Sequence, residues 1–319
     1  VAGRYLASMS HVIGMITNPT AASGRGTKWG HQALAALAAK GHKIRDLTHG
    51  SWASAFEAAM AARDELDALV VVGGDGMVHL GAQICAGRKD LPLGVVSSGS
   101  GNDAANTWGL PEYDIEAAVE RVHEGLLGDV TAVDLGKLTG PGIEEPGDPR
   151  YFAVVLSAGI DAAVAAYAGN MTWPKGNGKY RLATFREIAR FKPYGITCEA
   201  DGLTWSSSST LVAVANTPVF GGGLVISPNS SVTDGWLEVV IAEGMSRARL
   251  LRIFPTLKDG THIRCPEIRI ERAKRVTISQ SADGAILPAA FADGELVGSE
   301  PLNVTVAPRA LKVLGARIP

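Results

Sequence analysis

Three glycine-rich runs in the first third of the chain have the residue types of phosphate-binding loops. The strongest is Gly73-Gly74-Asp75-Gly76-Met77. It follows residues 68–72 (ALVVV), a buried-strand signal, and precedes a run with helical character. Adjacent glycines let a backbone approach a phosphate closely, and a helix start offers N–H groups to an anion. A carboxylate among phosphates makes chemical sense when Mg2+ sits between them, directly or through water, which makes Asp75 a metal-facing candidate. The chain holds six Asp-Gly pairs, so the pair by itself also fits a plain turn. The strand before it and the helix after it favour the loop.

The second run, Ser98-Gly99-Ser100-Gly101-Asn102-Asp103, follows a short apolar strand at 93–96. Its backbone donors and the Ser100 hydroxyl suit a nucleotide, while Asn102-Asp103 would equally cap a following helix. The third, Asn18-Pro19 followed by Ser23-Gly24-Arg25-Gly26, comes after a strand at 11–16. It lacks the Gly-Lys-Ser/Thr ending of a P-loop, and its glycines miss G-x-G-x-x-G spacing.

These loops need a scaffold that brings strand ends to one edge. Strands at 11–16, 42–47, 68–72 and 93–96 alternate with helical stretches at 28–40, 52–63 and 77–86. That β-α-β-α order predicts an α/β domain in three layers, a parallel sheet with helices on both faces. Beyond about residue 135 the texture changes. A Gly-, Pro- and acid-rich loop at 139–150 leads to strand-like runs at 151–156, 211–215, 237–242, 275–279, 302–306 and 311–314, with helices near 180–191 and 246–257. Ser206–Ser209 reads as a hairpin end. The division is 1–135 for a nucleotide domain, 136–306 for a β-rich domain, and 307–319 returning to the first.

The 319 residues carry a net charge of −2, with 46% hydrophobic and 19% charged residues. That is an ordinary globular composition in two domains, without the basic field of a nucleic-acid binder. Cys85, Cys198 and Cys265 lack CxxC spacing, which fits a reducing cytosol. No run of about 18 apolar residues predicts a membrane span. His31, His42, His49, His79, His123 and His262 are scattered and suggest no metal constellation.

Taken together, the three loops resemble the diacylglycerol kinase catalytic-domain family, which includes bacterial lipid kinases and is related to sphingosine and ceramide kinases. The family pattern is an Asn-Pro-x-Ser-Gly loop, a Gly-Gly-Asp-Gly loop and a Gly-Thr-x-Asn-Asp loop about 25 residues later. Here the last is Gly99-Ser100-Gly101-Asn102-Asp103, followed by Leu110-Pro111. The likeness continues through Asn216-Thr217, Gly221-Gly222-Gly223, Ile226-Ser227-Pro228, Asp234-Gly235-Trp236-Leu237-Glu238, Gly260-Thr261-His262 and Asp293-Gly294-Glu295. Two positions depart from it: after Gly-Gly-Asp-Gly, Met77 stands where the pattern has a hydroxyl and Leu80 where it has a carboxylate.

The resemblance implies an α/β nucleotide domain plus a C-terminal β-sandwich, and transfer of the γ-phosphate of ATP to a lipid hydroxyl, diacylglycerol giving phosphatidic acid. It implies that residues 73–77 and 100–102 hold ATP, with Asn18, Ser23, Gly24, Gly26 and Thr48 nearby, although Thr48 suits a helix N-cap equally. Asp75 would act through Mg2+, and Glu295, with Asp293, would accept the proton of the lipid hydroxyl. A hairpin turn with a solvated Glu295 is the plain alternative. Asp234, with backbone oxygens of Ser231 and Trp236, would hold a structural Mg2+. A lipid substrate implies a cytoplasmic protein in peripheral contact with the inner face of the membrane, where residues 245–257 interleave Leu, Ile and Phe with Arg247, Arg249 and Arg252; Trp173-Pro174 and the basic residues 175–179 are further candidates. An exposed strand edge allows a homodimer. The rivals are a non-catalytic lipid- or nucleotide-binding regulator and an NAD kinase, whose Thr-Pro-Thr-Gly-Ser-Thr-like run is broken here at Asn216–Gly221.

Overall fold

The computed structural model describes residues 10–19, 21–143, 150–173 and 177–318; the side chains of Ala22, Ser23 and Asn177 are not among them. Residues 144–149 of the expected loop, and Pro174, Lys175 and Gly176 of the basic stretch, lie outside the described residues. The chain forms two compact units, one of residues 1–132 and 311–319, the other of residues 133–310.

The first unit contains β1 (Val12–Thr17), α1 (Ala21–Gly24), α2 (Gly26–Ala39), β2 (Lys43–Asp46), α3 (Trp52–Ala62), β3 (Ala68–Gly73), α4 (Asp75–Cys85), β4 (Leu93–Ser97), α5 (Asp103–Thr107) and α6 (Ile115–Leu126). The strands pair in parallel in the order β2-β1-β3-β4. On one face Ile13, Met15, Val70 and Val72 pack against Ala33 and Leu37 of α2 and Ala118, Val119 and Val122 of α6. Helices α3 and α4 contact each other and strands β1 and β3, and the alternate strand residues are those that face them. This is the expected three-layer α/β arrangement. All six residues of β3 are buried, as a central parallel strand requires.

The second unit begins within β5 (Val130–Thr139) and continues through β6 (Arg150–Phe152), β7 (Val155–Gly159), α7 (Ile160–Gly169), α8 (Asn177–Arg190), β8 (Tyr194–Ala200), β9 (Leu203–Ala215), β10 (Val219–Phe220), β11 (Leu224–Val225), β12 (Leu237–Glu243), α9 (Arg247–Ile253), β13 (Ile268–Ala273), β14 (Arg275–Gln280), β15 (Ala290–Ala292), β16 (Glu295–Gly298) and most of β17 (Leu302–Leu314). One edge of β9 pairs with β12, while the other pairs first with β8 and then with β7. The sheet therefore divides along β9. The resulting β-sandwich closes on Phe152, Ile196, Val212, Val214, Val239, Ile241, Val276 and Ile278.

Several elements differ from the sequence reading. Ser206–Ser209 lies inside β9, paired along β8, and is not a hairpin end. Its serines lie along the pairing with β8, where the Ser206 hydroxyl is 2.9 Å from Thr197 Oγ1 and the Ser207 hydroxyl 3.1 Å from that of Ser209. The runs at 302–306 and 311–314 are one strand, β17, which absorbs Arg309 at φ 52°. Its last turn of chain belongs to the first unit, where Val313 pairs in parallel with Leu93. Helices α6 and α7 were not among the expected elements, although Asp114 caps α6, accepting the Ala117 N–H at 3.0 Å; α7 starts from Gly159 with no side-chain cap.

Candidate active site

The C-terminal ends of β1, β3 and β4 deliver the three loops to one edge of the first unit, the edge where open α/β sheets bind ligands. The Asn18 N–H donates to the Val72 carbonyl at 2.9 Å, and the Ser98 N–H donates to the Gly73 carbonyl at 2.8 Å. Each loop is thus tied to the central strand. Glycine is required where they meet. A Cβ on Gly74 would lie 2.8 Å from the Gly99 Cα, and one on Gly99 would lie 2.3 Å from the Gly74 Cα. A Cβ on Gly26 would lie 2.0 Å from the Asn18 carbonyl oxygen.

Gly74 is the N-cap of α4, so Asp75, Gly76 and Met77 form its first turn rather than a loop before it. The helix starts two residues earlier than the sequence suggested, because Asp75 favours a first turn and Gly76 is not needed as a breaker. Asp75 Oδ1 accepts the Ala104 N–H of α5 at 3.1 Å, which joins the Gly73–Met77 and Ser98–Asp103 loops through the carboxylate. Met77 is buried, and a Cβ on Gly73 would strike its Cγ at 2.4 Å. Leu80 is 1% exposed within the packed face of α4. The two departures from the family pattern are therefore apolar contacts inside the unit.

Asn102 sits at φ 59°, buried, as the N-cap of α5. Its side-chain oxygen accepts the Gly99 N–H at 2.8 Å, and its amide donates to the Gly99 carbonyl at 3.1 Å and to Glu112 at 3.2 Å. Asn102 thus builds the loop. Ser100, exposed, and Gly101 stand at its tip. The Tyr113 hydroxyl donates to the Gly99 carbonyl at 2.6 Å. Glu112 and Tyr113 shape this loop from ten or more residues away; no motif announced them, since their role comes from the chain folding back after α5. Thr48 is not an N-cap: Ser51 caps α3, and the Thr48 hydroxyl accepts the Thr17 N–H at 3.0 Å, fastening the end of β1. Ser23 and Gly24 lie in α1, close in sequence to Gly26 at the start of α2.

In the second unit, Asp293 (φ 53°) and Gly294 (φ 86°) form the tight turn joining β15 to β16, the left-handed pair that a two-residue hairpin demands. Both Asp293 carboxylate oxygens accept backbone donors, from Ala153 at 2.9 Å and Val154 at 2.8 Å. Asp293 therefore secures the segment between β6 and β7. Glu295 is exposed at the first position of β16. Tyr180 of α8 stands near it: burial, and then the Glu295 charge, push its phenol above the ordinary range. Tyr180 was not singled out from sequence, because only the fold brings α8 to this hairpin.

Asp234 Oδ1 accepts the Trp236 N–H at 3.0 Å, and Oδ2 is ion-paired with Arg272. Arg272 also reaches Glu238 at 3.2 Å and lies over the Trp236 ring at 5.1 Å. Ser231 Oγ is 3.4 Å from Thr233 Oγ1. As placed, the Asp234 carboxylate serves a guanidinium, and a cation there would have to take its place. Among the described residues no group of three or more His, Cys, Asp or Glu side chains is placed to hold a metal ion. Asp75 fits a different kind of site, a single half-buried carboxylate beside a helix N-terminus, suited to Mg2+ held largely by nucleotide phosphates and water.

The parallel α/β unit, with glycine loops at its strand ends, and the β-sandwich unit each match a known domain. Residues 13–138 match the diacylglycerol kinase catalytic domain, and residues 154–315 match the YegS C-terminal NAD kinase beta sandwich-like domain. The chain is 34% identical over 312 residues to a diacylglycerol kinase of Mycobacterium tuberculosis, covering 96% of this chain and 97% of that one. A diacylglycerol kinase structure from Bacillus anthracis shares the fold at 18% identity, with a TM-score of 0.66 over 96% of each chain. Yeast NADH kinase complexed with NADH shares it more distantly, at 10% identity and a TM-score of 0.52, over 97% of this chain and 84% of that one. The chain belongs to the diacylglycerol kinase family and is a kinase of that family.

Proposed function

We propose that this kinase transfers the γ-phosphate of ATP to the free hydroxyl of diacylglycerol, forming phosphatidic acid. The observation that carries the proposal is Asp75. It lies in the first turn of α4, between glycine loops in backbone contact, and grips the Ser98–Asp103 loop through the Ala104 N–H. The α4 N-terminus and the loops at Gly73–Met77 and Ser100–Asn102 receive the phosphates, with Asn18, Gly24 and Gly26 alongside. Mg2+ beside Asp75 would neutralise charge on the phosphates. Glu295 takes the proton of the lipid hydroxyl as it attacks phosphorus, and Asp293 holds the hairpin that presents it. Phosphoryl transfer asks little covalent chemistry of a protein, so positioning and charge account for most of the rate.

A diacylglycerol acceptor resides in a bilayer, so the chain must meet a membrane surface from outside. No helix among the described residues is long and apolar enough to cross one. Residues 245–257 contribute less than their sequence suggested: Leu250 and Ile253 are core, while Leu251 and Phe254 are exposed. Helix α8 adds exposed Tyr180, Leu182 and Phe185 among Lys179 and Arg181. These support peripheral contact at the cytoplasmic face.

The test is transfer of labelled γ-phosphate from Mg·ATP to diacylglycerol, monoacylglycerol, a sphingoid base and NAD, each assayed separately, with the lipids in mixed micelles. Label is expected in phosphatidic acid. Label in NADP alone would replace the lipid reading with the nucleotide-kinase one. ATP binding without label in any product would favour a non-catalytic regulator.

A further inference from the structure

Three histidines that look scattered in the sequence converge in the first unit, away from the phosphate loops. His11 stands just before β1, His42 just before β2, and His123 in the last turn of α6. The His11 backbone N–H donates to His42 Nδ1 at 3.4 Å, and His42 Nε2 lies 3.0 Å from His123 Nδ1. The rings of His11 and His42 are 5.4 Å apart, and those of His42 and His123 are 5.2 Å apart.

This chain of contacts admits one arrangement of protons. A backbone N–H can only donate, so His42 Nδ1 must present its lone pair. The neutral ring then carries its proton on Nε2 and donates it to His123, whose Nδ1 must be unprotonated. A second proton on His42 would set Nδ1–H against the His11 N–H. A proton on His123 Nδ1 would set two donors against each other at 3.0 Å. His42 is 5% exposed, so water cannot readily take over either contact.

The groups facing His42 reinforce this. His11 comes from the lead into β1, and His123 and Glu120 from α6. Lys40 comes from the end of α2. Lys40 and Glu120 pair with each other at 2.5 Å, and the Glu120 charge acts on His123 rather than on His42. Burial, then the neighbouring His123, His11 and Lys40, hold His42 below its ordinary value of 6.5.

We propose that His11, His42 and His123 form an acid-sensitive latch that fastens the starts of β1 and β2 to α6 and opens when His42 is protonated. The unfolded chain takes up a proton on this residue as pH falls through about 6.5, while the folded unit resists it. Stability present above that pH is therefore lost progressively as pH falls through 6.5 toward the lower folded value. The latch bears on the phosphate loops, since β1 ends at Thr17, next to Asn18, and β2 leads to Thr48, which holds the Thr17 N–H. It does not depend on which acceptor the kinase uses.

The test is thermal unfolding of the whole chain at pH 7.5 and 5.5 for wild type, His42→Gln and His123→Gln, with imidazole nitrogen shifts of the wild type followed over the same range. The wild type is expected to lose more Tm between the two values than either variant, and His42 to remain the Nε2–H tautomer below pH 6.5. Equal losses of Tm in all three proteins would overturn the latch. So would a His42 that titrates at or above 6.5 in the folded wild type, a readout that stands even where a variant fails to fold.

Discussion

Asp293 and Glu295 are separated by one glycine, yet the fold gives them different work. Asp293 spends both carboxylate oxygens on the Ala153 and Val154 N–H groups, whereas Glu295 is exposed at the head of β16. Asp293→Ala is expected to orphan two backbone donors and destabilise the protein by about 1–3 kcal/mol, measurable in denaturant unfolding. Glu295→Gln is expected to leave stability unchanged and lower kcat by about 10²–10⁴-fold, the usual size of a general-base effect, with KM for ATP retained. The sequence pattern brought attention to this pair but could not divide the roles, because the backbone donors to Asp293 lie about 140 residues away. In the same way the Arg272 guanidinium that meets the Asp234 carboxylate comes from a later strand, which the local pattern around Asp234 could not show.

At the scale of elements, the strand–loop–helix units around Gly74 and Gly99 were legible because each step has a local cause: a run of buried β-branched residues, a glycine where the backbone turns, a helix start. What the sequence could not show is that the two loops touch backbone to backbone. Gly74→Ala should force them apart at an atom 2.8 Å away, with a cost of about 1–3 kcal/mol from overpacking. Weakened ATP binding in calorimetry is expected alongside the lower Tm. Gly87, at φ 76° with open space around it and outside the loops, would suffer only backbone strain on the same change, and serves as the comparison. The long strands β9 and β17 were read in fragments for a related reason. Their serine- and arginine-containing middles lack apolar alternation, and only the pairing across the sheet makes them continuous.

At the scale of the whole molecule, both units keep a buried histidine neutral. In the first it is His42. In the second, His262 is 1% exposed, lies 3.0 Å from the Ile226 carbonyl oxygen, and is held by burial below its ordinary value. Each contributes stability above about pH 6.5 that is lost as pH falls toward its folded value. The unfolding midpoint is therefore expected to drop on acidification through that window, and less so in a His42→Gln, His262→Gln double variant. Two-unit architecture, a parallel sheet first and a β-rich portion second, was readable from composition and order alone. The proton bookkeeping of the histidines was not, because His11, His42 and His123 meet only after three separate elements have packed.

The central claim is that Asp75 and the loops it joins serve phosphoryl transfer to a lipid. Its most direct test is the initial rate of phosphatidic acid formation from Mg·ATP and diacylglycerol by wild type and Asp75→Asn, with folding of both verified by Tm. The account predicts a wild-type rate that the variant lowers by at least about 10²-fold, the scale of losing one charge-stabilising group. A folded Asp75→Asn protein that forms phosphatidic acid as fast as wild type would contradict it.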